Sequence, residues 1–419
     1  MGLWTIKGGR PLYGTTQVQG SKNGALAVLA GCLVMNGVSV LENVPQVTEV
    51  ERALDILRGL SCKVKREGNR VTVDSRDASP EPLPIQQMER VRSSVLFLGA
   101  MLARFGKGAV PVPTGSVLGP RPLDLHLSAL QSMGAEILLE DGMVLGKAAH
   151  STGGEVILPY PSVGATENAM LAACGCKGVT VIRGCAKEPE VADLAAYLRA
   201  CGMEIFGEGT DTICITPQRI MGKVFHCILP DRIAASMLLC AAASCGGKLN
   251  LQEVDASHLQ PVLDGLTEMG CNIKIHERSL SLVSDGKLWA AAGPIVTGPY
   301  PAFPTDALPF MITASLKADS VTVFRERVFG GRLKQMRLLR RFGGDLSLTE
   351  DCAAVVTGVS KLNGASVCCH DSLEASAMLL AALQAEGEST LVEQGQIGGS
   401  FAFLDSVLRQ LGAELEFTQ

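Results

Sequence analysis

The sequence predicts an α/β protein of six repeated units, three to each of two domains, with helices buried and sheets outside them. Three observations carry this. One signature, a helix that closes on glycine and leads into a short strand, occurs six times. A second, a run of small apolar residues followed by a β-branched strand, alternates with it. The alternation has a period of about 70 residues, longer than common solenoid repeats, so a closed arrangement of larger units is expected rather than an open array.

The first signature reads Leu-x-x-(Leu/Met/Phe/Cys)-Gly and lies at Leu57–Val64 (with Ser61 for glycine), Leu130–Ile137, Leu198–Ile205, Leu266–Ile273, Leu339–Leu346 and Leu408–Leu415. Glycine just past the last helical residue suits a left-handed cap, which a Cβ would crowd. The residues beyond it alternate apolar and polar, the period of a strand. The second signature occupies Asn23–Leu41, Ser94–Val110, Asn168–Ile182, Ala234–Leu249, Ala307–Val323 and Ala375–Leu391. Its alanines, glycines and cysteines allow close helix approach, so these helices are expected to be fully buried. A sheet layered on buried helices follows. The domain break is placed at residue 229, giving one domain over residues 20–229. The other joins residues 230–419 to the N-terminal residues 1–19, which precede the first unit and are expected to return to the C-terminal half.

Bulk properties exclude several function classes. The apolar runs near Val95–Ala103 and Ser236–Ala243 are shorter than the roughly 20 residues a membrane helix needs. The N-terminal residues carry neither a signal-peptide pattern nor a myristoylation site, so a cytoplasmic protein with no membrane partner is expected. A net charge of −5 gives no field to recruit nucleic acid. Most of the 14 cysteines sit in apolar runs or just after helices, there are no paired CxxC knuckles, and they read as buried free thiols, with no metal site.

Helix N-termini bind anions, because their N–H groups lack partners and carry partial positive charge. The small-residue helices are expected to begin at Ser21-Lys22-Asn23, Arg92-Ser93-Ser94, Gly164-Ala165-Thr166, Asp231-Arg232, Thr305-Asp306 and Ser372-Leu373-Glu374. Lys22 and Arg92 could be ordinary surface cations, but a cation at an N-terminus opposes the helix dipole. Residues 113–126 form a Gly/Pro-rich loop before a helix starting near Pro122, and the prolines beside Arg121 restrict it in a way that suits phosphate or carboxylate binding. Asp306 at a helix start reads either as a cap or as a base.

These segments, with Ser162-Val163-Gly164, Glu188-Pro189-Glu190, Leu229-Pro230-Asp231-Arg232 and Phe303-Pro304-Thr305-Asp306, resemble the UDP-N-acetylglucosamine enolpyruvyl transferases over essentially the whole chain. The resemblance implies two inside-out α/β domains that close over their substrates. It also implies cofactor- and metal-free transfer of enolpyruvyl from phosphoenolpyruvate to the sugar 3-hydroxyl of UDP-N-acetylglucosamine, in a monomer or weak homo-oligomer. Carried over, Lys22 and Arg121 would contact the phosphate of phosphoenolpyruvate, Asn23 the reacting centre, and Asp306 would take the hydroxyl proton. Arg92 and the segment Arg121, Pro122, Leu123, Asp124, Leu125 and His126 would line the site. Ser162, Val163, Gly164 and Thr305 would meet the nucleotide sugar, and Val328 and Arg332 would face the site from the second domain. Fixed cations and one carboxylate suit a transition state that carries a phosphate on a cationic or tetrahedral carbon.

The chain departs from that pattern at several positions. Ser116 stands where the family has a cysteine that attacks or protonates phosphoenolpyruvate. A thiol ionises near pKa 8.5, far more readily than an alkyl hydroxyl, so Ser116 is expected to resist epoxides that alkylate the cysteine. Glu374 and Gly399 stand where two arginines are expected, and Ser372 where an aspartate is, unless Asp371 serves. Two charge-assisted contacts are worth about 3–6 kcal/mol together. Tyr160 replaces a lysine and Ala234 a glutamate. Arg325, Arg327 and Lys334, near Arg332, are candidate replacements for the lost cations, and the Gly398-Gly399-Ser400 turn could offer backbone amides to an anion. Two readings follow: an active transferase, or a divergent paralogue that binds a nucleotide sugar or related anion.

Overall fold

The computed structural model of the chain describes residues 2–89, 91–112, 123–148, 151–218, 222–393 and 398–418. These fall into two compact units. One runs from Gly20 to Leu229, and the other takes the chain from Pro230 onward together with the segment before Gly20.

In the unit from Gly20 to Leu229 three apolar helices, Lys22–Val34, Val95–Phe105 and Val163–Ala173, contact one another at the centre. Every residue from Gly24 to Leu33 is buried. The small side chains permit this proximity: a Cβ at Gly99 would sit 2.3 Å from Asn168 Oδ1 on the neighbouring helix. The other unit repeats the arrangement with Arg232–Cys245, Leu308–Ala314 and Ser372–Gln384.

The sheets share one topology. In the first, Gly37–Glu42 pairs in parallel with Gly222–Cys227 and antiparallel with Arg70–Asp74, which pairs in turn with Lys63–Glu67. The same order of one parallel and two antiparallel pairings recurs around the central strands Thr180–Arg183, Gly247–Gln252, Val321–Arg325 and Glu388–Glu393. The sheet of Lys107–Pro111 shows three strands among the described residues. In each sheet one face alternates into the core, as in the buried Val71 and Val73 of Arg70–Asp74. This is the inside-out α/β fold: helices form the core and sheets the shell.

The strand Leu3–Lys7 pairs antiparallel with both Glu388–Glu393 and Glu414–Thr418, which places the start of the chain inside the last sheet. Two strands are also exchanged relative to their order in the chain. Leu12–Gln17 precedes the helix Lys22–Val34 but pairs with Gly247–Gln252, whereas Gly222–Cys227 precedes Arg232–Cys245 but pairs with Gly37–Glu42.

The glycine punctuation is seen directly. Gly134, Gly202, Gly270, Gly343 and Gly412 have φ between 86° and 100°, and Ser61 takes the same left-handed region at 65°. Two elements differ from expectation. The fifth copy of the first signature is a short α-helix, Arg332–Gln335, continued as the 3-10 helix Met336–Phe342. The Gly398-Gly399-Ser400 segment is the first turn of the helix Gly398–Gln410 rather than a free turn.

Candidate active site

In the unit from Gly20 to Leu229, Ser21 caps the Lys22–Val34 helix by accepting a hydrogen bond from Gly24 N at 3.2 Å. Lys22 is therefore the first helical residue, with Asn23 beside it and partly buried. The Lys22 ammonium, 32% exposed, reaches Glu49 Oε2 at 2.8 Å. Glu49 lies in the first turn of Thr48–Gly59, and its charge offsets the unfavourable placement of a cation at a helix N-terminus. Arg92 opens the 3-10 turn Arg92–Ser94 that feeds Val95–Phe105, and its side chain lies outside the described residues.

Ser116, Arg121 and Pro122 also fall outside the described residues. Leu123 is the N-cap of Asp124–Ser132, which carries an exposed Asp124 and partly buried Leu125 and His126. This helix places the imidazole of His126 against Gly164, where a Cβ would lie 3.0 Å from Cε1. Ser162 caps the Val163–Ala173 helix at Ala165 N, so Ser162, Val163, Gly164 and His126 form one cluster.

Asn168 orders that cluster, and the sequence reading assigned it no such role. It is fully buried; its Oδ1 accepts from Gly99 N at 3.0 Å, which leaves Nδ2 to donate to His126 Nδ1 at 3.2 Å. Nδ1 must then accept, so the ring proton sits on Nε2. The available signal was the polar run Thr166-Glu167-Asn168 inside a helix otherwise made of small and apolar residues.

In the other unit Asp306 Oδ1 pairs with Arg332 Nη2 at 2.7 Å. Arg332 is 2% exposed, rests its guanidinium 5.4 Å from the Phe329 ring centroid, and has no hydrogen-bond partner at Nε or Nη1 among the described residues. It supports the carboxylate from within the core instead of presenting an open face. The helix here starts at Leu308 with Ala307 as N-cap, so Asp306 is neither its cap nor in its first turn. An ion pair to Arg332 holds its carboxylate.

Thr305 and Val328 are tied together through Glu326, which the sequence reading missed. Its Oε2 accepts from Thr305 Oγ1 at 2.7 Å, and its Oε1 from Val328 N at 2.7 Å and Phe329 N at 2.9 Å. The signal was strand alternation, which turns Phe324 and Glu326 inward. The same alternation leaves Arg325 and Arg327 exposed, with Arg325 3.3 Å from Asp351 Oδ2. Lys334 is exposed too. Arg325 is thus engaged on the outer surface and does not replace the missing cations.

At the sixth buried helix, Asp371 is the N-cap and accepts from Leu373 N and Glu374 N, both at 2.9 Å. Glu374, 4% exposed, folds back to accept from His370 N at 2.7 Å, and burial raises its pKa. This is close to a capping box: the residue standing where arginine was expected now caps its own helix. Asp231 likewise caps Arg232–Cys245, accepting from Ile233 N and Ala234 N.

Comparison with known proteins gives the family and the fold. Residues 6–408 match the family model of EPSP synthase (3-phosphoshikimate 1-carboxyvinyltransferase). A UDP-N-acetylglucosamine 1-carboxyvinyltransferase 2 from Caldanaerobacter subterraneus subsp. tengcongensis is 38% identical over 415 residues, covering 99% of both chains. A UDP-N-acetylglucosamine 1-carboxyvinyltransferase 1 from Carboxydothermus hydrogenoformans is 37% identical, covering 98% of this chain and 97% of its own. Among solved structures, the enolpyruvyl transferase NikO from Streptomyces tendae superposes with a TM-score of 0.89 at 23% identity, covering 100% of this chain and 99% of its own. An EPSP synthase from Acinetobacter baumannii gives 0.76 at 18% identity, with both chains covered completely. Sequence similarity over nearly the full length, together with the shared fold, makes the chain a member of the enolpyruvyl transferases, in the family of UDP-N-acetylglucosamine 1-carboxyvinyltransferases.

Proposed function

We propose that the protein transfers the enolpyruvyl group of phosphoenolpyruvate to the 3-hydroxyl of UDP-N-acetylglucosamine, the first committed step of peptidoglycan synthesis. It would do so in the cytoplasm, without metal or cofactor, as a monomer or weak homo-oligomer. The observation that carries this is the Asp306–Arg332 pair beside Thr305, in a chain of this family. A carboxylate fixed by a buried arginine is a positioned acceptor for the hydroxyl proton. The freed oxygen attacks C2 of phosphoenolpyruvate while C3 gains a proton, and loss of phosphate with a C3 proton completes the transfer. Lys22 and Arg121 would hold the phosphate, Asn23 the reacting centre, and Ser116 would occupy the place of the family's cysteine. Arg92 and residues 121–126 would line the site, with Ser162, Val163, Gly164 and Thr305 on the nucleotide sugar and Val328 and Arg332 facing the site.

The test is phosphate release from purified protein given both substrates, with an Asp306→Ala control. Release well above that control is expected. No excess, with UDP-N-acetylglucosamine still bound by calorimetry, would instead favour a paralogue that binds without turnover, the reading supported by the inward capping of Glu374. An epoxide analogue of phosphoenolpyruvate should leave the wild type unlabelled by mass spectrometry, whereas Ser116→Cys should become labelled. Rapid labelling at Ser116 itself would contradict the assignment.

A further inference from the structure

We infer that Glu326 sets the hydrogen-bond polarity of Thr305, making it an obligate acceptor toward the hydroxyl-bearing substrate. The inference rests on the function proposed above. Glu326 is 3% exposed, and four donors converge on it. Val328 N and Phe329 N are backbone donors, while Thr297 Oγ1 at 2.9 Å and Thr305 Oγ1 at 2.7 Å are hydroxyls. A carboxylate has no proton to give, so each hydroxyl must spend its single proton on it. Thr297 gives an internal check on that direction: its oxygen accepts from Arg327 N at 2.9 Å, and an amide N–H can only donate.

By the same logic the proton of Thr305 points inward and its lone pairs remain for the partly exposed side. With the carboxylate of Asp306 next in the chain, the side chains of residues 305–306 present acceptors. Such side chains take hydroxyl or amide N–H groups and offer no proton to phosphate or carboxylate oxygens. Phosphoenolpyruvate, whose ionised form offers only acceptor oxygens, gains nothing there; a sugar bearing hydroxyls and an N-acetyl N–H does. Glu326 is thus a positioning residue for the choice of acceptor substrate.

Glu326→Gln tests this. The glutamine carbonyl can still receive the three donors on Oε1, but its amide donates to Thr305 and turns the threonine proton outward. The expected result is a rise of about tenfold in KM for UDP-N-acetylglucosamine, with KM for phosphoenolpyruvate changed less than about twofold. Thr305→Val should raise the same KM, Thr305→Ser should restore it, and Glu326→Gln added to Thr305→Val should have no further effect. Equal changes in both KM values, additive losses, or no change in either would overturn the inference. If the wild type binds the nucleotide sugar without releasing phosphate, the transfer reading fails alone, and the same comparison is made with dissociation constants from calorimetry. If the wild type does not bind the nucleotide sugar, both fall.

Discussion

Glu167 lies inside the Val163–Ala173 helix at 4% exposure, with no hydrogen-bond partner at Oε1 among the described residues. Burial raises its pKa well above the usual 4.5, and the charges of Glu190, Glu188 and Asp193 push the same way. The folded state therefore holds a proton that the unfolded chain releases. The stability linked to this group is fully present below about pH 4.5 and is lost as pH rises toward its raised folded value. Glu167→Gln mimics the protonated form, so its denaturation midpoint should exceed that of the wild type by more at about pH 8 than at about pH 5. A gap that does not change with pH would mean that Glu167 is ionised in the fold. At this scale Glu374, where the resemblance leads one to expect a cation, folds back to cap its own helix.

Among elements, the junction between helix and strand is the most regular part of the chain. Five of its six copies place glycine at left-handed φ, while Ser61 adopts 65° with a Cβ. That conformation costs a residue other than glycine about 1–2 kcal/mol. Glycine has the greater freedom in the unfolded chain, which returns roughly 0.5–1 kcal/mol of the difference. Ser61→Gly is thus expected to stabilise the protein by about 0.5–1 kcal/mol, read as a higher denaturant midpoint with an unchanged slope. A lower midpoint would show that the serine side chain contributes more than its backbone strain costs.

Across the molecule, the sixth repeat is completed by the strand Leu3–Lys7, which takes the place held in the other sheets by the last strand of each repeat. Trp4 on that strand is 2% exposed and its ring centroid lies 4.7 Å from that of Phe417, so the two ends of the chain share one packed surface. The exchanged strands Leu12–Gln17 and Gly222–Cys227 complete the fourth and first repeats. The unit assembled from both ends of the chain holds the Asp306–Arg332–Glu326 group, and the continuous unit holds Lys22, Asn23 and the His126–Asn168 cluster. No helix among the described residues is long and apolar enough to cross a membrane.

By itself the sequence determined the six units, because their signals are local: a left-handed residue where a helix must end, small residues where helices must approach, and a period of two in the strands. A resemblance covering the chain also proposed Lys22, Asn23, Thr305, Asp306 and Arg332 as candidate site residues. The return of residues 1–19 to the C-terminal half was expected, but tertiary structure alone decided which strand pairs with which and in what register, since a pairing such as Leu3 with Thr418 leaves no local trace. It alone joined Asp306 to Arg332, set Asn168 behind His126 and Glu326 behind Thr305, and turned Arg325 outward to Asp351. Glycine and periodicity act within a few residues of the chain. Hydrogen bonds between side chains depend on where distant segments meet, and that is settled only when the core has packed.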